Sequence, residues 1–105
     1  MININNDDWI TRNQIREFCD SLERKTFYIS NSRSKLIGKY FDVNDVLTFK
    51  STKRFITTPI NGVVQYKVIL KIYNLNKNIN IDSTKCINSV MELKDIINSF
   101  CIDEL

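Results

Sequence analysis

The sequence predicts a small α+β domain in which an N-terminal helix, a small antiparallel sheet and a C-terminal helix follow one another. Three patterns support this: a helical apolar stripe over residues 12–24, two alternating stretches at 46–57 and 63–73, and a second apolar stripe before the C-terminus. The 105 residues are 43% hydrophobic and 26% charged, which is typical of a globular protein. We therefore interpret residues 1–105 as a single domain.

The first helix is predicted from its start signal and its apolar spacing. Thr11 and Gln14 fit a capping box, in which the Thr11 hydroxyl accepts from the Gln14 amide and the Gln14 side chain reaches back. Ile10 and Ile15 fit the hydrophobic staple that often accompanies such a box. The apolar positions that follow at helical spacing are Ile15, Phe18, Cys19 and Leu22.

The segment after this helix has weaker signals. Residues 27–29 (FYI) favour a short strand, and residues 30–32 a polar turn. Residues 34–41 indicate a short helix or an irregular turn, because Gly38 weakens a helix there. The apolar positions of this last segment are Leu36, Ile37, Tyr40 and Phe41.

Two longer strands are predicted to form an antiparallel hairpin. Residues 46–57 and 63–73 each alternate apolar and polar side chains, which is typical of strands buried on one side. Residues 59–62 (PING) between them predict the turn, because proline fixes φ and Asn-Gly tolerates positive φ. On the first strand Leu47, Phe49 and Phe55 are predicted on one face, and Lys50, Thr52 and Arg54 on the other.

The C-terminal third predicts a polar connection and then a helix. Residues 74–80 form the connection, and Ser89 with Glu92 is a capping-box candidate for a helix over 90–100. A helix beginning near Ser83 is the alternative. The apolar seam of this helix comprises Val90, Leu93, Ile97 and Phe100.

The residue types favour binding over catalysis. Histidine is absent, which removes the commonest general base and metal ligand. Cys19, Cys86 and Cys101 form no CxxC pair, and no phosphate-binding loop or dinucleotide motif occurs. We expect reduced thiols, with Cys19 and Cys101 on apolar helix faces, and neither a metal nor a cofactor. The chain is therefore predicted not to be an enzyme.

Charge is concentrated in the middle of the chain. Residues 24–71 contain ten basic and two acidic residues, whereas residues 1–23 and 72–105 are both net acidic. A basic block of this kind attracts polyanions and acidic protein surfaces, although lysines on a solvated strand surface give the same pattern. The candidate partner-binding residues are Arg33, Lys35, Lys39, Lys50, Arg54, Lys67 and Lys71.

Trp9 precedes the predicted capping box. We expect it to cover the end of the first helix as part of the core, and an aromatic anchor for a partner is the alternative. No stretch reaches membrane-spanning length and the acidic start does not fit a signal peptide, so a cytoplasmic protein is expected. The absence of alanine and the abundance of asparagine, isoleucine and lysine suggest an AT-rich genome, such as that of a virus or an extrachromosomal element.

Between residues 9 and 69 the order of motifs resembles a known family. The segments concerned are Ile10–Ile15, Tyr28–Ile29, Lys39–Phe41, Asn44–Phe49 and Tyr66–Ile69. They are similar to the assembly domain shared by a small subunit of archaeal DNA-directed RNA polymerase and the C-terminal part of its eukaryotic equivalent, subunit five. The family's Asp-Pro before the basic-Tyr-Phe run and its Thr-Ala-Gly turn are missing here, and residues 70–105 have no counterpart in the archaeal form.

The resemblance implies a non-catalytic structural subunit that docks on the largest polymerase subunit beside downstream DNA. Two other classes of function remain open from the residues themselves. One is a small viral or mobile-element protein that binds and inhibits a host factor. The other is a direct nucleic-acid binder, in which Phe49 and Tyr66 stack on bases between the lysines.

Overall fold

The computed structural model describes the backbone of residues 6–105 and the side chains of residues 9–52, 55–57, 59, 61–62 and 64–105. Two helices and a five-stranded antiparallel sheet confirm the predicted α+β class. The elements in chain order are α1 (Asn6–Glu23), β1 (Phe27–Ile29), β2 (Val46–Ile60), β3 (Val63–Asn74), β4 (Ile79–Ile87), α2 (Val90–Asn98) and β5 (Ile102–Glu104).

The β2–β3 hairpin forms the centre of the sheet, whose strand order is β4-β3-β2-β1-β5. The hairpin turns at Asn61 and Gly62, whose φ angles of 52° and 77° give the positive-φ pair of a two-residue type I′ turn. The predicted hairpin is therefore confirmed, with Pro59 and Ile60 belonging to β2 rather than to the turn.

The register of β2 against β3 changes once along the hairpin. Thr52 pairs with Ile69, but the next pair is Ile56 with Lys67, so β2 contains two more residues than β3 in this interval. Because side chains alternate with a period of two, an insertion of two residues leaves the same side of β2 facing the core before and after it.

The core lies between the sheet and the two helices. Phe49 is central to it, since its ring contacts Phe27 edge-on at 5.6 Å and stacks near Phe100 at 6.4 Å. The β3 side chains that are buried on the same side of the sheet are Tyr66, Val68, Leu70, Ile72 and Asn74. The helices contribute Ile15, Cys19, Leu22, Leu93 and Ile97.

The first helix begins earlier than the sequence predicts. It already includes Asn6, so Thr11 and Gln14 lie inside the helix and the predicted capping box is wrong. Ile10 is half exposed and forms no staple, whereas Ile15 is fully buried. The apolar stripe itself is confirmed, because it depends on the helical period and not on where the helix starts.

Two side chains of α1 bind backbone groups on the outer edge of β2. β1 pairs with only Val46 and Leu47, which leaves the backbone groups beyond them without a neighbouring strand. The Glu23 carboxylate accepts from the Ser51 amide at 2.6 Å, and the Arg12 guanidinium donates to the Phe55 carbonyl at 3.3 Å. These contacts satisfy strand groups that a sixth strand would otherwise have to pair.

The C-terminal part contains two strands that the sequence analysis missed. Residues 79–87 form β4 along β3, so neither a polar connection reaching residue 80 nor a helix from Ser83 is correct. α2 follows, with the Ser89 hydroxyl accepting from the Glu92 amide as predicted. The chain leaves α2 through Cys101, whose φ is 50°, and β5 then pairs with β1.

The segment between β1 and β2 is irregular, which was one of the two predicted forms. Its Phe41 side chain is fully buried, and Leu36 packs against the core, whereas Ile37 and Tyr40 are exposed. The amide of Asn74, a side chain only 1% exposed, donates to the Tyr40 carbonyl and to an Asp45 oxygen, both at 2.8 Å. This hydrogen-bonding fixes the segment to the end of β3.

Asp45 is the charged member of this cluster. Burial disfavours its ionised form, but hydrogen bonds from the Asp42 backbone and the Asn74 amide, together with the Lys77 ammonium, outweigh burial and lower the pKa of the carboxyl. A carboxyl whose pKa is lower in the folded than in the unfolded state stabilises the protein above the unfolded pKa. That contribution is lost as the pH falls through the folded pKa.

We therefore expect Asp45→Asn to lower the free energy of unfolding at neutral pH, and the difference from the wild type to shrink as the pH falls below about 4, the usual pKa of an aspartate, and through the lowered pKa of folded Asp45. Urea titrations at a series of pH values measure this difference. Asp103→Asn, on an exposed position of β5, is the matched control and should change the free energy of unfolding little. A constant Asp45→Asn difference across this pH range would contradict the assigned role of the carboxylate.

Candidate partner-binding face of the sheet

One side of the sheet faces away from both helices, and we call its part on β2, β3 and β4 the open face. The strand register defines its members, since directly paired residues of antiparallel strands project to the same side. In rows across β2, β3 and β4 they are Thr48, Tyr73 and Asn80; Lys50, Lys71 and Asp82; Thr52, Ile69 and Thr84; Ile56, Lys67 and Cys86.

Three of the predicted site residues come together on the open face. Lys50 of β2 lies directly opposite Lys71 of β3, and Lys67 projects to the same side four residues earlier along β3. Lys50 is exposed, while Lys67 and Lys71 are half-buried, so their aliphatic stems lie on the sheet and their ammonium groups reach solvent. A cross-strand pair of like charges is unfavourable by itself.

The ion pairs of the described side chains do not involve these lysines. They join Lys25 to Glu104, and Lys77 to Asp42 and Asp45. Asp82 is the cross-strand neighbour of Lys71, and its carboxylate is the one acidic group among the open-face positions on β2, β3 and β4. The open face is therefore net basic, with Ile69, Ile56 and Tyr73 providing apolar surface between the charges.

The remaining predicted site residues are located elsewhere or lie outside the described side chains. Arg33, Lys35 and Lys39 are exposed on the segment between β1 and β2. The Lys35 amide donates to the Ser99 carbonyl at the end of α2, so this residue adjoins the helix layer. Arg54 falls in the irregular part of β2, and its side chain is outside the described residues.

The aromatic residues predicted to stack on nucleic acid bases are in the core. Phe49 and Tyr66 are each 3% exposed and point toward the helices, so the proposed stacking is wrong. They occupy apolar positions of alternating strands, and alternation sends them to the side opposite the lysines. The aromatic residue of the open face on β3 is Tyr73.

Trp9 does not belong to the core. Its side chain is 63% exposed on the first part of α1, so the expectation that it covers the helix end is wrong. The expectation depended on a helix starting after Trp9, whereas α1 already includes this residue. The alternative, an aromatic anchor for a partner, stays a prediction.

The three cysteines occupy different environments, and all have free thiols. Burial, together with the nearby Glu23 and Asp20 carboxylates, raises the pKa of the Cys19 thiol to about 12. A thiol with that pKa is protonated at neutral pH and is a poor nucleophile. Cys86 is exposed on the open face, and Cys101 lies beyond α2 and not on a helix face as predicted.

We expect Cys19→Ala to lower the free energy of unfolding by about 1–2 kcal/mol, because a fully buried side chain loses its packing contacts. Cys86→Ala is the control, and its exposed side chain predicts little change. Thermal and urea unfolding of the two variants measure the difference. Equal stability of the two variants would show that Cys19 contributes no packing energy.

A cleft of about 350 Å³ lies between α1, α2 and the start of β5. Its apolar lining includes Phe18, Phe27 and Ile97, and its charged lining consists of Lys25 and Lys94. The Lys94 ammonium lies 5.7 Å from the centre of the Phe18 ring. The charged groups of this lining are therefore ammonium groups, and among the described residues the lining contains no carboxylate.

Two further observations concern the described part of the chain. It contains no cluster of three or more cysteine and carboxylate side chains that could hold a metal ion. Neither α1 nor α2 is long and apolar enough to span a membrane.

In comparisons with known proteins, no family model, no curated protein and no solved structure matches the chain.

Proposed function

We propose that this chain is a non-catalytic binding protein whose open face docks on an acidic surface of a partner. The observation that carries the proposal is the placement of Lys50, Lys71 and Lys67 on one side of adjacent strands. The repulsion between Lys50 and Lys71 has a small cost in the isolated chain, and an acidic partner would turn it into an attraction.

The non-catalytic part of the proposal is supported by the chemistry of the side chains. The sequence has no histidine, and the pKa of the buried Cys19 thiol is raised far above neutrality. The charged groups that line the cleft between α1, α2 and β5 are the ammonium groups of Lys25 and Lys94. A regular sheet with a solvent-facing side is, in contrast, a rigid platform on which a partner docks with little loss of conformational entropy.

Among binding proteins we favour a small assembly subunit of a DNA-directed RNA polymerase, of a virus or an extrachromosomal element. The support is spatial, because most of the motifs that carry the resemblance adjoin one another. Tyr28 pairs with Val46, the Asn44 amide donates to the Ile29 carbonyl at 2.8 Å, and Phe41 is buried in the core that they share. Motifs spread over more than twenty residues therefore form one structural unit.

The test is affinity purification of the tagged full chain from its native source, followed by identification of what it retains. Polymerase subunits would support assembly with the transcription machinery. A different protein as the specific partner would replace this with the host-factor function, and retention of nucleic acid alone would replace it with direct nucleic-acid binding. The salt dependence of the affinity distinguishes nucleic acid from a protein partner. Binding to phosphates releases counterions, so its affinity falls steeply as the salt concentration rises.

The open face itself is tested with two sets of charge reversals of equal size. We expect Lys50→Glu, Lys67→Glu and Lys71→Glu together to weaken binding to the purified partner by about tenfold or more, mainly through slower association. Arg33→Glu, Lys35→Glu and Lys39→Glu change the net charge equally on the segment between β1 and β2, and should have a smaller effect. Surface plasmon resonance measures both rates, and circular dichroism checks folding.

If both triple variants weaken binding to the same extent, the loss of affinity reflects net charge alone and the open face is not the site. If neither variant weakens binding, the open face is likewise not the site. If the second set is the more harmful, the binding site is the segment between β1 and β2.

A further inference from the structure

The two edges of the sheet differ in how their backbone groups are protected. At the β2 side, the three-residue β5 is outermost, and Glu23 and Arg12 bind the exposed groups of β2. At the other side, β4 is outermost over nine residues. Among the described residues, no side chain binds the backbone of β4 between Ile79 and Ile87 in the way that Glu23 binds Ser51.

β4 has the features of an edge that can accept another strand. Its pairing with β3 runs without a register shift from Ile79 with Asn74 to Ile87 with Tyr66. It contains neither proline nor glycine, the residues that interrupt edge strands. Bulges, prolines and charges are the usual protection of an edge, and here only Asp82 and Lys85 provide it.

We propose that β4 pairs in antiparallel orientation with β4 of a second copy of this chain, which joins two five-stranded sheets into one. A two-fold axis perpendicular to the sheet then lies midway between the two copies of one β4 residue, the centre of the pairing, and residues equally far from this centre on the two copies oppose each other. An axis at Asp82 or at Lys85 would place like charges directly opposite each other, which is unfavourable.

Thr84 is the centre that the side chains favour. With the axis there, Ile81 of each copy opposes Ile87 of the other, and the two Thr84 side chains form a cross-strand pair of the type that stabilises sheets. Lys85 then opposes Ser83, and Asp82 opposes Cys86. The neighbouring centre at Ser83 would place Lys85 opposite Ile81, which pairs a charge with an apolar side chain.

This pairing also predicts the geometry of the open faces. A two-fold axis perpendicular to the sheet keeps the same side of both sheets pointing in one direction. The lysines of both copies would therefore lie on one continuous surface, and an acidic partner with two contact sites would bind more tightly through the raised effective concentration.

The first measurement is the mass of the full chain in solution by light scattering across a concentration series. We expect twice the 12.4 kDa chain mass, with dissociation on dilution. We expect Thr84→Lys to weaken the dimer by about tenfold, because two lysines then oppose each other on the axis. Thr52→Lys makes the same change at an exposed threonine in the same row on β2, and should leave the dimer unchanged.

The second measurement locates the axis. In a Cys86→Ser background, Thr84→Cys should form a disulfide-linked dimer under mild oxidation, since opposed residues of paired strands lie within disulfide reach. Thr52→Cys in the same background should not. A wild-type chain that remains monomeric at high concentration would overturn the proposal, as would a dimer that Thr84→Lys leaves intact or that Thr84→Cys fails to link.

Discussion

The register of the β2–β3 hairpin is the constraint on which the rest of the structure depends. The Asn61-Gly62 turn sets this register, because a two-residue turn with positive φ at both positions matches the twist of the flanking strands. The two strands form the centre of the sheet, and both contribute side chains to the buried core. A slip by one residue would send the core side chains of a strand to solvent and its lysines into the core.

The insertion in β2 shows how strongly this constraint applies. Two additional residues between Thr52 and Ile56 displace the pairing but preserve the side to which each residue points. Lys50 before the insertion and Ile56 after it both belong to the open face, and Ser51 and Thr57 both point to the helices. A bulge of one residue would have interrupted the alternation of side chains, so that odd-numbered residues faced the core on one side of the bulge and even-numbered residues on the other.

Much of the fold can be predicted from the sequence, because the central signals are local. The hairpin follows from alternation and the Asn-Gly turn, and α2 follows from the Ser89 cap and its apolar seam. β4 was not predicted because the residues between its isoleucines are mostly polar, and such a sequence resembles a loop. Its strand conformation depends on pairing with β3, a tertiary effect that local propensity does not contain.

The predictions for the start of α1 and for the position of Trp9 were wrong for a related reason. A capping box consists of common residue types, and Thr11 with Gln14 satisfies the pattern inside a helix as well as at its start.

The candidate site was predicted in part. Alternation alone places Lys50, Lys67 and Lys71 on one side, whereas the position of Arg33, Lys35 and Lys39 depends on how an irregular segment packs.

One-sided coverage of the sheet connects the fold to the proposed surfaces. Both helices pack on the same side, where the apolar side chains of β2 and β3 from Leu47 to Tyr66 are buried. α1 lies along β2, and its Glu23 and Arg12 reach around the outer edge of that strand. α2 follows β4 directly through a tight Asn88-Ser89 connection, with Ser89 used as the helix cap.

The same packing that buries the core thus protects one edge and leaves the other edge and the lysine side of the sheet accessible. The two surfaces are physically separable in their charge recognition, since the β4 edge is formed by backbone groups whereas the lysines of the open face belong to β2 and β3. A substitution can therefore change charge recognition on the open face without changing the hydrogen-bonding capacity of the β4 edge.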